Sequence, residues 1–386
     1  MSVRTCLIVA CLLLSTGCRK TTAPPPSSAP PPATTPAPEL SHSQGGETPA
    51  PQAKYFKGSI GSSLDLQMKL VRTGDQLAGS YFYQKVGTRI NVRGNVDKDG
   101  SLTLQEFDQA GKQTGQFKGI WTIDSADGLV TLAGNWSKPP GEKGSEKLTA
   151  FSVHEEPISF LGETEIVGKQ IKESNKKLMY EIDAQYPQIT GGNNPNFEKF
   201  NQAARALVTS KVVAFKKDMT PKAGEEEPRP EGSMGSYVDS GYNVGLAQDD
   251  LISIQFGYNS YYQGAAHPNN YSEVLNYDLK NGKQLKLGDL FKPGAKYLQA
   301  IATYCIADLK KQDAKDKTLT DEEIEKGAAA SPKNYQNWTI TKKGLGINFD
   351  AYQVGSYAAG PQYVLVPYST LKDLINPEGP LAQFAK

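Results

Sequence analysis

Residues 261–291 read YYQGAAHPNNYSEVLNYDLKNGKQLKLGDLF, and this stretch indicates how the C-terminal part of the chain folds. Apolar and polar residues alternate after Tyr271, which is typical of a half-buried strand. The dipeptide Asn281-Gly282 is typical of a tight hairpin turn. His267 stands before the strand, between small residues and a proline, in a sequence that favours a close-packed turn. We therefore expect two strands joined by a hairpin and preceded by the His267 turn.

Helical periodicity marks longer segments on either side of this hairpin. In NFEKFNQAARALVTSKVVAF, which follows a capping Asn194, apolar residues recur on one face. In DLFKPGAKYLQAIATYCIADLKKQ the apolar stripe includes Cys305, and TLTDEEIEKGAA adds a shorter helix capped by Thr320. The segments between them read as strands. We predict an α+β C-terminal region with a first half at 160–235 and a domain at 236–386, and the two halves can share one sheet.

Residues 54–155 have a different pattern, in which short alternating runs are separated by turn sequences such as TGDQ, VDKDG and DSADG. The runs are LDLQMKL, GSYFYQKV, TRINVRGNV, SLTLQEFD, GQFKGIWTI and LVTLAGNW. No long helical stripe interrupts them. This segment therefore predicts a small all-β module, either a meander or a barrel.

One stretch of this module matches a calcium-binding signature. In NVDKDGSLTLQE, the residues at the metal-loop positions are Asn95, Asp97, Asp99, Gly100 and Glu106. An EF-hand needs a helix on each side, whereas both flanks alternate as strands. We therefore interpret the motif as a hairpin turn that holds no metal.

The chain opens with MSVRTCLIVACLLLSTGC, a short positive region followed by an apolar run too short for a lasting membrane span. The ending LSTGC resembles the lipobox of bacterial lipoproteins. The resemblance implies a signal peptide at 1–17 and a lipidated, palmitate-bearing Cys18 that anchors the protein in a bacterial cell envelope. In a cell with two membranes, we expect the outer membrane, facing the periplasm. The alternative is an ordinary secretory signal with a chance cysteine. Residues 18–53 are rich in proline, serine and threonine and predict an extended tether.

Charge and cysteine content exclude several functional classes. The chain has 42 basic and 41 acidic residues, and removal of the signal peptide with its single arginine leaves a neutral protein. Without a basic field, nucleic acid is not an expected partner. Cys305 would be the last free thiol and lies on an apolar helical stripe, which is typical of a buried, inert cysteine. The scattered histidines predict no metal site, and no cofactor is expected.

Catalytic signatures are missing from the sequence: it has no G-x-S-x-G, H-E-x-x-H, P-loop or G-x-G-x-x-G motif. His267 could act as a base with Ser260 or Asp278 as a partner, although neither lies in a recognisable context. A structural or binding-loop role for His267 is the preferred interpretation.

Tyrosines crowd the same two regions as the His267 turn. Those we expect to form a contact surface with His267 are Tyr258, Tyr261, Tyr262, Tyr271, Tyr352 and Tyr357. On alternating strands about half of such rings should face inward. Tyrosines on loops are rigid and amphipathic, which suits contact with a protein or a sugar.

Two parts of the chain resemble known families. The stretch from YYQGAAHPNN to GDLF, with FDAYQVGSYAAGPQYVLVPYSTLKDL, resembles the extracytoplasmic domain of RsiV-type anti-sigma factors, which bind lysozyme. The preceding YEIDAQYPQITGGNNPNFEKFNQAARALV is similar to the companion domain of PdaC-type peptidoglycan deacetylases. Together the resemblance covers roughly residues 160–380. It implies an α+β fold and binding of a muramidase, without the cytoplasmic segment or the deacetylase domain of those proteins.

The sequence thus predicts a non-enzymatic envelope lipoprotein that binds a lysozyme-like protein or cell-wall peptidoglycan through the loops at 258–271 and 352–363. One alternative is a peptidoglycan hydrolase that uses His267. Another is a scaffold or assembly lipoprotein whose β-module carries a ligand or partner.

Overall fold

A computed structural model describes residues 53–220, 235–315 and 317–385 of the chain. These residues lie in one compact unit, Pro49–Lys386. The predicted signal peptide, Cys18 and the tether up to residue 52 lie outside the described residues. Among the helices that the structure describes, none has the length and apolar character needed to cross a bilayer.

Eight antiparallel strands form a closed barrel at the N-terminal end of the described chain. In chain order, β1 to β8 are Ala53–Ile60, Leu64–Thr73, Gln76–Tyr83, Arg89–Val96, Ser101–Phe107, Gln113–Ile123, Val130–Ser137 and Thr149–Glu156. Each strand pairs with the next, and β1 also pairs with β8, which closes the barrel. Closure leaves no open sheet edge in this part of the molecule. The predicted all-β module is confirmed as a barrel.

The calcium-like motif lies in a β-hairpin between β4 and β5, as interpreted from its flanks. Asp99 accepts hydrogen bonds from the backbone nitrogen and the hydroxyl of Ser101, and Gly100 has a positive φ of 87°. Glu106 points to the barrel core, where it accepts hydrogen bonds from Tyr81 and Trp136. The acidic residues of the motif therefore serve the turn and the core.

A six-stranded sheet follows the barrel, with β9 at Glu165–Asn175, β10 at Tyr180–Thr190, β11 at Ser236–Gln248, β12 at Leu251–Tyr261, β13 at Asn269–Asp278 and β14 at Lys283–Gln284. Its spatial order runs from β14 to β9. β10 and β11 are parallel, while the other neighbours are antiparallel. One sheet therefore includes strands from both sides of residue 236.

Helix α1, Asn196–Met219, lies between β10 and β11 in the chain and covers one face of this sheet. Phe200, Ala204 and Val208 are fully buried against the alternate apolar residues of β12, such as Ile254 and Phe256. The helix begins after Pro195, and Asn194 accepts a hydrogen bond from the backbone nitrogen of Asn196. The predicted amphipathic stripe of α1 is thus the stripe that packs on the sheet.

A second layer lies on the opposite face of the sheet. It contains a three-stranded antiparallel sheet, β15 (Trp338–Ile340), β16 (Gly344–Phe349) and β17 (Gln362–Pro367), and helices α2 (Tyr297–Asp313), α3 (Asp321–Gly327) and α4 (Tyr368–Leu371). Thr320 and Glu323 form the capping box at the start of α3. Cys305 is fully buried on α2, and burial raises its pKa to about 12, as expected for an inert thiol.

Buried polar side chains join the two sheets. Asn276 on β13 donates from Nδ2 to the carbonyl oxygen of Trp338 at 2.8 Å and accepts a hydrogen bond from Ser253. The Ser253 hydroxyl in turn accepts from the backbone nitrogen of Ile340 at 2.8 Å. These bonds join β15 of the small sheet to β12 and β13 of the large sheet.

Candidate functional site

His267, Tyr352 and Tyr357 form an aromatic cluster where the loop before β13 meets the loop between β16 and β17, with His267 and Tyr352 exposed and Tyr357 half-buried. The imidazole stacks on the Tyr357 ring with centroids 4.1 Å apart, and the Tyr352 ring tilts against Tyr357 at 5.5 Å. Tyr357 donates from its hydroxyl to the carbonyl oxygen of Pro268 at 2.9 Å, which ties the two predicted loops together. Tyr352 is 65% exposed. The cluster therefore presents flat rings to solvent on a fixed support.

The other predicted tyrosines are not part of this ring cluster. Tyr258 stacks on Tyr271 at 5.0 Å beneath α1, and Tyr258 is only 3% exposed. Tyr262 packs on Phe215 of α1 and donates to Asp218. The expectation that all the predicted tyrosines share one surface is therefore corrected. Strand alternation turns Tyr258 and Tyr271 toward the core face, and Tyr262 packs against α1.

Tyr261 has the opposite orientation from Tyr258 and stacks on Tyr237 of the neighbouring strand, with centroids 5.9 Å apart. It shares the face of the sheet that points away from α1, because it lies an odd number of residues from Tyr258. Tyr261 therefore belongs to the same side of the molecule as the small sheet.

His267 has no catalytic partner among the residues that the structure describes. Its Nδ1 lies 2.8 Å from the carbonyl oxygen of Pro268, and its Nε2 lies 3.5 Å from the Tyr352 hydroxyl. Asp278, the conceivable carboxylate partner, lies at the other end of β13 and accepts hydrogen bonds from Asn281. The hydrolase alternative through this histidine therefore lacks an orienting acid.

A cavity of about 430 Å³, the first cavity, opens beside the aromatic cluster. Its floor is the face of β11 and β12 that points away from α1, and residues of β16, β17 and their connecting loop form a wall. Asn270 lines the cavity and donates from Nδ2 to the Tyr357 hydroxyl at 3.2 Å. The first cavity and the aromatic cluster are therefore contiguous.

Two glycines leave open space on this floor. Gly241 and Gly257 are paired across β11 and β12. A β-carbon added to either residue would have no heavy atom within 4 Å. The strands thus present bare backbone to the cavity where side chains would otherwise fill it.

Amides and a carboxylate lie next to the glycines. Asn259 donates from Nδ2 to Asp239 at 3.0 Å, and burial raises the pKa of Asp239, with Asn259 opposing the rise. Oδ1 of Asn259 and Nδ2 of Asn348 are buried and have no hydrogen-bond partner among the described residues. Since buried polar atoms are nearly always paired, the Asn259 acceptor and the Asn348 donor are available to a polar molecule in this cavity.

A second cavity of about 760 Å³ extends from the first toward the barrel, and Gln255 and Tyr363 line both. We call the two cavities together the groove. Of the residues predicted for binding, Tyr258 and Tyr271 line the first cavity, whereas the other groove residues were not identified from the sequence. One signal for them exists: Gln255, Gly257 and Asn259 alternate with apolar residues of β12, which marks a polar face on a strand whose other face is buried.

Comparisons with known proteins identify two regions of the chain. Residues 173–270 match the family model described as deacetylase PdaC, and residues 288–369 match a protein family of unknown function, DUF3298. The peptidoglycan-N-acetylmuramic acid deacetylase PdaC of Bacillus subtilis (strain 168) is 28% identical over 187 residues. That match covers 48% of this chain and 38% of the relative, so the chain spans well under half the length of the curated protein that it matches.

Solved structures with similar chains include two from the DUF3298 family. The protein from Bacteroides fragilis NCTC 9343 is 19% identical, with a TM-score of 0.41, and the match covers 58% of this chain and 98% of that one. The protein from Pseudomonas aeruginosa PAO1 is 18% identical, with a TM-score of 0.37, covering 55% and 94%. Short afifavidin matches 28% of this chain and 96% of its own, at 14% identity and a TM-score of 0.21. The chain is thus similar to the PdaC family model in one region and to the DUF3298 model in the next, and both regions follow an eight-stranded barrel.

Proposed function

We propose that this protein is a cell-wall-related binding protein that holds a glycan strand of peptidoglycan in the first cavity and against the aromatic cluster. The observation that carries the proposal is the contact between the two features, since Asn270 lines the cavity and bonds Tyr357 of the cluster. The name of the curated relative, a peptidoglycan deacetylase, supports the choice of glycan.

The chemistry of a sugar matches both features. A pyranose ring has an apolar face of C–H groups that stacks on an aromatic ring, and a polar rim of hydroxyl and acetamido groups. Tyr357 and Tyr352 supply rings that lose little conformational freedom on binding. Asn259 and Asn348 supply the unpartnered acceptor and donor for the rim. The cavity volume of about 430 Å³ lies in the range of small-molecule sites.

The proposal includes the envelope location expected from the sequence. A lipidated Cys18 and a proline-rich tether would hold the barrel and the groove near the wall, within reach of glycan strands. The function we propose is binding, and the aromatic cluster would position the glycan without chemistry at His267.

Co-sedimentation with purified, insoluble peptidoglycan tests the proposal. We expect the protein to sediment and Tyr357→Ala to weaken binding by about tenfold, because it removes a ring that stacks on the sugar. Tyr262→Ala is the matched control: it removes another exposed tyrosine, on the α1 side of the sheet, and should sediment like the unmodified protein.

Two results would count against the proposal. Failure of the protein to sediment at all would remove the glycan as the ligand. Equal losses in Tyr357→Ala and Tyr262→Ala would show that the aromatic cluster has no special role. Capture of lysozyme in a parallel pull-down, with no sedimentation, would favour a muramidase as the ligand instead.

A further inference from the structure

The second cavity lies between the barrel and the two sheets. Its walls come from β1 and β8 of the barrel, from β11 and β12 of the large sheet, and from the small sheet and the turn between β15 and β16. Side chains of both charges line it, including Lys57, Lys342, Asp65 and Glu156. Val244 adds apolar surface. The cavity is therefore suited to a ligand that combines both charges with short apolar groups.

Lys57 is a sheltered cation without an ion-pair partner. Its Nζ donates to the carbonyl oxygen of Tyr242 at 3.0 Å and lies 3.9 Å from the centre of the Tyr242 ring. Within the described part of the chain, no carboxylate oxygen lies within 4.0 Å of it. Burial lowers the pKa of Lys57, and Glu156 and Asp65 only partly oppose that effect. A ligand carboxylate would supply the missing counter-charge.

Glu156 is the corresponding anion. It is the last residue of β8 and is half-buried, and among the described residues Lys57 acts on its carboxylate through charge without a hydrogen bond. Burial raises its pKa, and Lys57 opposes the rise. Nε2 of Gln84, another lining residue, is buried and also lacks a partner within the described ranges. The cavity thus holds an anion and an amide donor that accept or donate no hydrogen bond within the described part of the chain.

The two cavities form one path along the sheet. The strand pairs Gly241–Gly257 and Asn243–Gln255 follow each other on the face of β11 and β12 that points away from α1. The first pair lines the first cavity and the second pair lines the second cavity. A molecule that occupies the first cavity can therefore extend a branch directly into the second.

We propose that the second cavity binds a short zwitterionic peptide, and that this peptide is the branch carried by the glycan strand in the first cavity. Lys57 would pair with a carboxylate of the peptide and Glu156 with its free amino group. This inference rests on the proposed glycan function, because the glycan is what delivers the peptide to the second cavity. Charge-assisted hydrogen bonds in a sheltered site are stronger than those at an open surface.

Calorimetric titration with three probes tests the inference. The probes are the N-acetylglucosaminyl–N-acetylmuramic acid disaccharide with its lactyl carboxyl group amidated, the free stem tetrapeptide with its diamino acid, and the two joined. We expect the joined molecule to bind about tenfold more tightly than the disaccharide, since two charged contacts are added.

Three variants test whether the tighter binding of the joined molecule depends on the second cavity. Lys57→Met and Glu156→Gln should each abolish the tighter binding and leave the affinity for the disaccharide unchanged. Lys118→Met, an exposed lysine on β6 outside both cavities, should retain the gain. The melting temperature of each variant establishes folding, and Glu156→Gln tests the inference independently of Lys57→Met.

The outcomes separate this inference from the function on which it rests. Equal affinity for the disaccharide and the joined molecule, or a gain that survives both Lys57→Met and Glu156→Gln, would overturn the peptide assignment while the glycan function stands. Binding of the free peptide alone, dependent on Lys57, would support the peptide assignment and overturn the glycan function.

Discussion

Glu156 is half-buried and, among the residues that the structure describes, its carboxylate has no ion-pair partner. The free-energy penalty of ionising this carboxylate should make the stability of the protein depend on pH. Because burial raises its pKa in the folded state, the ionised form destabilises the protein above that raised pKa. Protonation removes the penalty as the pH falls through the raised pKa to the ordinary glutamate value. The contribution of Glu156 to stability therefore improves toward acid, the reverse of an ion-paired carboxylate.

Glu156→Gln should therefore raise the free energy of unfolding at about pH 8, and the difference from the unmodified protein should shrink toward about pH 4. Urea unfolding at both values measures it. Glu146→Gln, an exposed glutamate in the loop before β8, is the control and should show no such trend. A stability gain for Glu156→Gln that is equal at both pH values would contradict the account.

The roles of some single residues could be predicted from the sequence, and the roles of others could not. The spacing of Asp97, Asp99 and Gly100 was sufficient to predict a turn, because turn chemistry is local. The role of Glu106 was not predictable, because its partners Tyr81 and Trp136 lie 25 and 30 residues away in the chain and meet it only inside the closed barrel. Tyr258 is buried because of the face of β12 to which its side chain points. The identity of a single residue does not show which face that is.

Among the elements, the small sheet is joined to the large sheet by the buried polar contacts of Asn276 and Ser253. Asn276→Ala would leave the carbonyl oxygen of Trp338 without its donor and remove the acceptor of Ser253. We expect a loss of about 2–4 kcal/mol in the free energy of unfolding, since two buried polar groups become unpaired. Glycan affinity should fall as well, because β16 and β17 form a wall of the groove.

Urea unfolding and peptidoglycan co-sedimentation measure these two effects. Asn135→Ala, an exposed asparagine on β7, should change neither. Loss of stability without loss of glycan affinity would separate the docking of the small sheet from ligand binding, against our account of the groove.

Most elements could be predicted from hydrophobic period and turn residues, including six barrel strands, α1 and the hairpin after Tyr271. The first and last barrel strands, β1 and β8, were not predicted. AKYFKGSI follows a proline-rich stretch and TAFSVHEE follows a long loop, so neither has the regular turn spacing of the others. Their pairing closes the barrel, which explains why a meander and a barrel could not be distinguished beforehand.

At the scale of the whole molecule, the groove exists only where separate parts of the chain meet. The loops at 258–271 and 352–363 were predicted to act together, and the structure places His267 against Tyr357. The cavities were not predictable, because their walls come from the barrel, the large sheet and the small sheet. Local sequence patterns do not show which faces of elements distant in the chain pack against each other.

The central claim is that a glycan lies on the bare floor between β11 and β12, and Gly257→Val tests it most directly. Valine suits a strand, and its side chain would enter open space, so the melting temperature should be unchanged or higher. Titration with the amidated disaccharide should then show binding to the unmodified protein and none to Gly257→Val. Equal binding by a folded Gly257→Val variant would contradict the account.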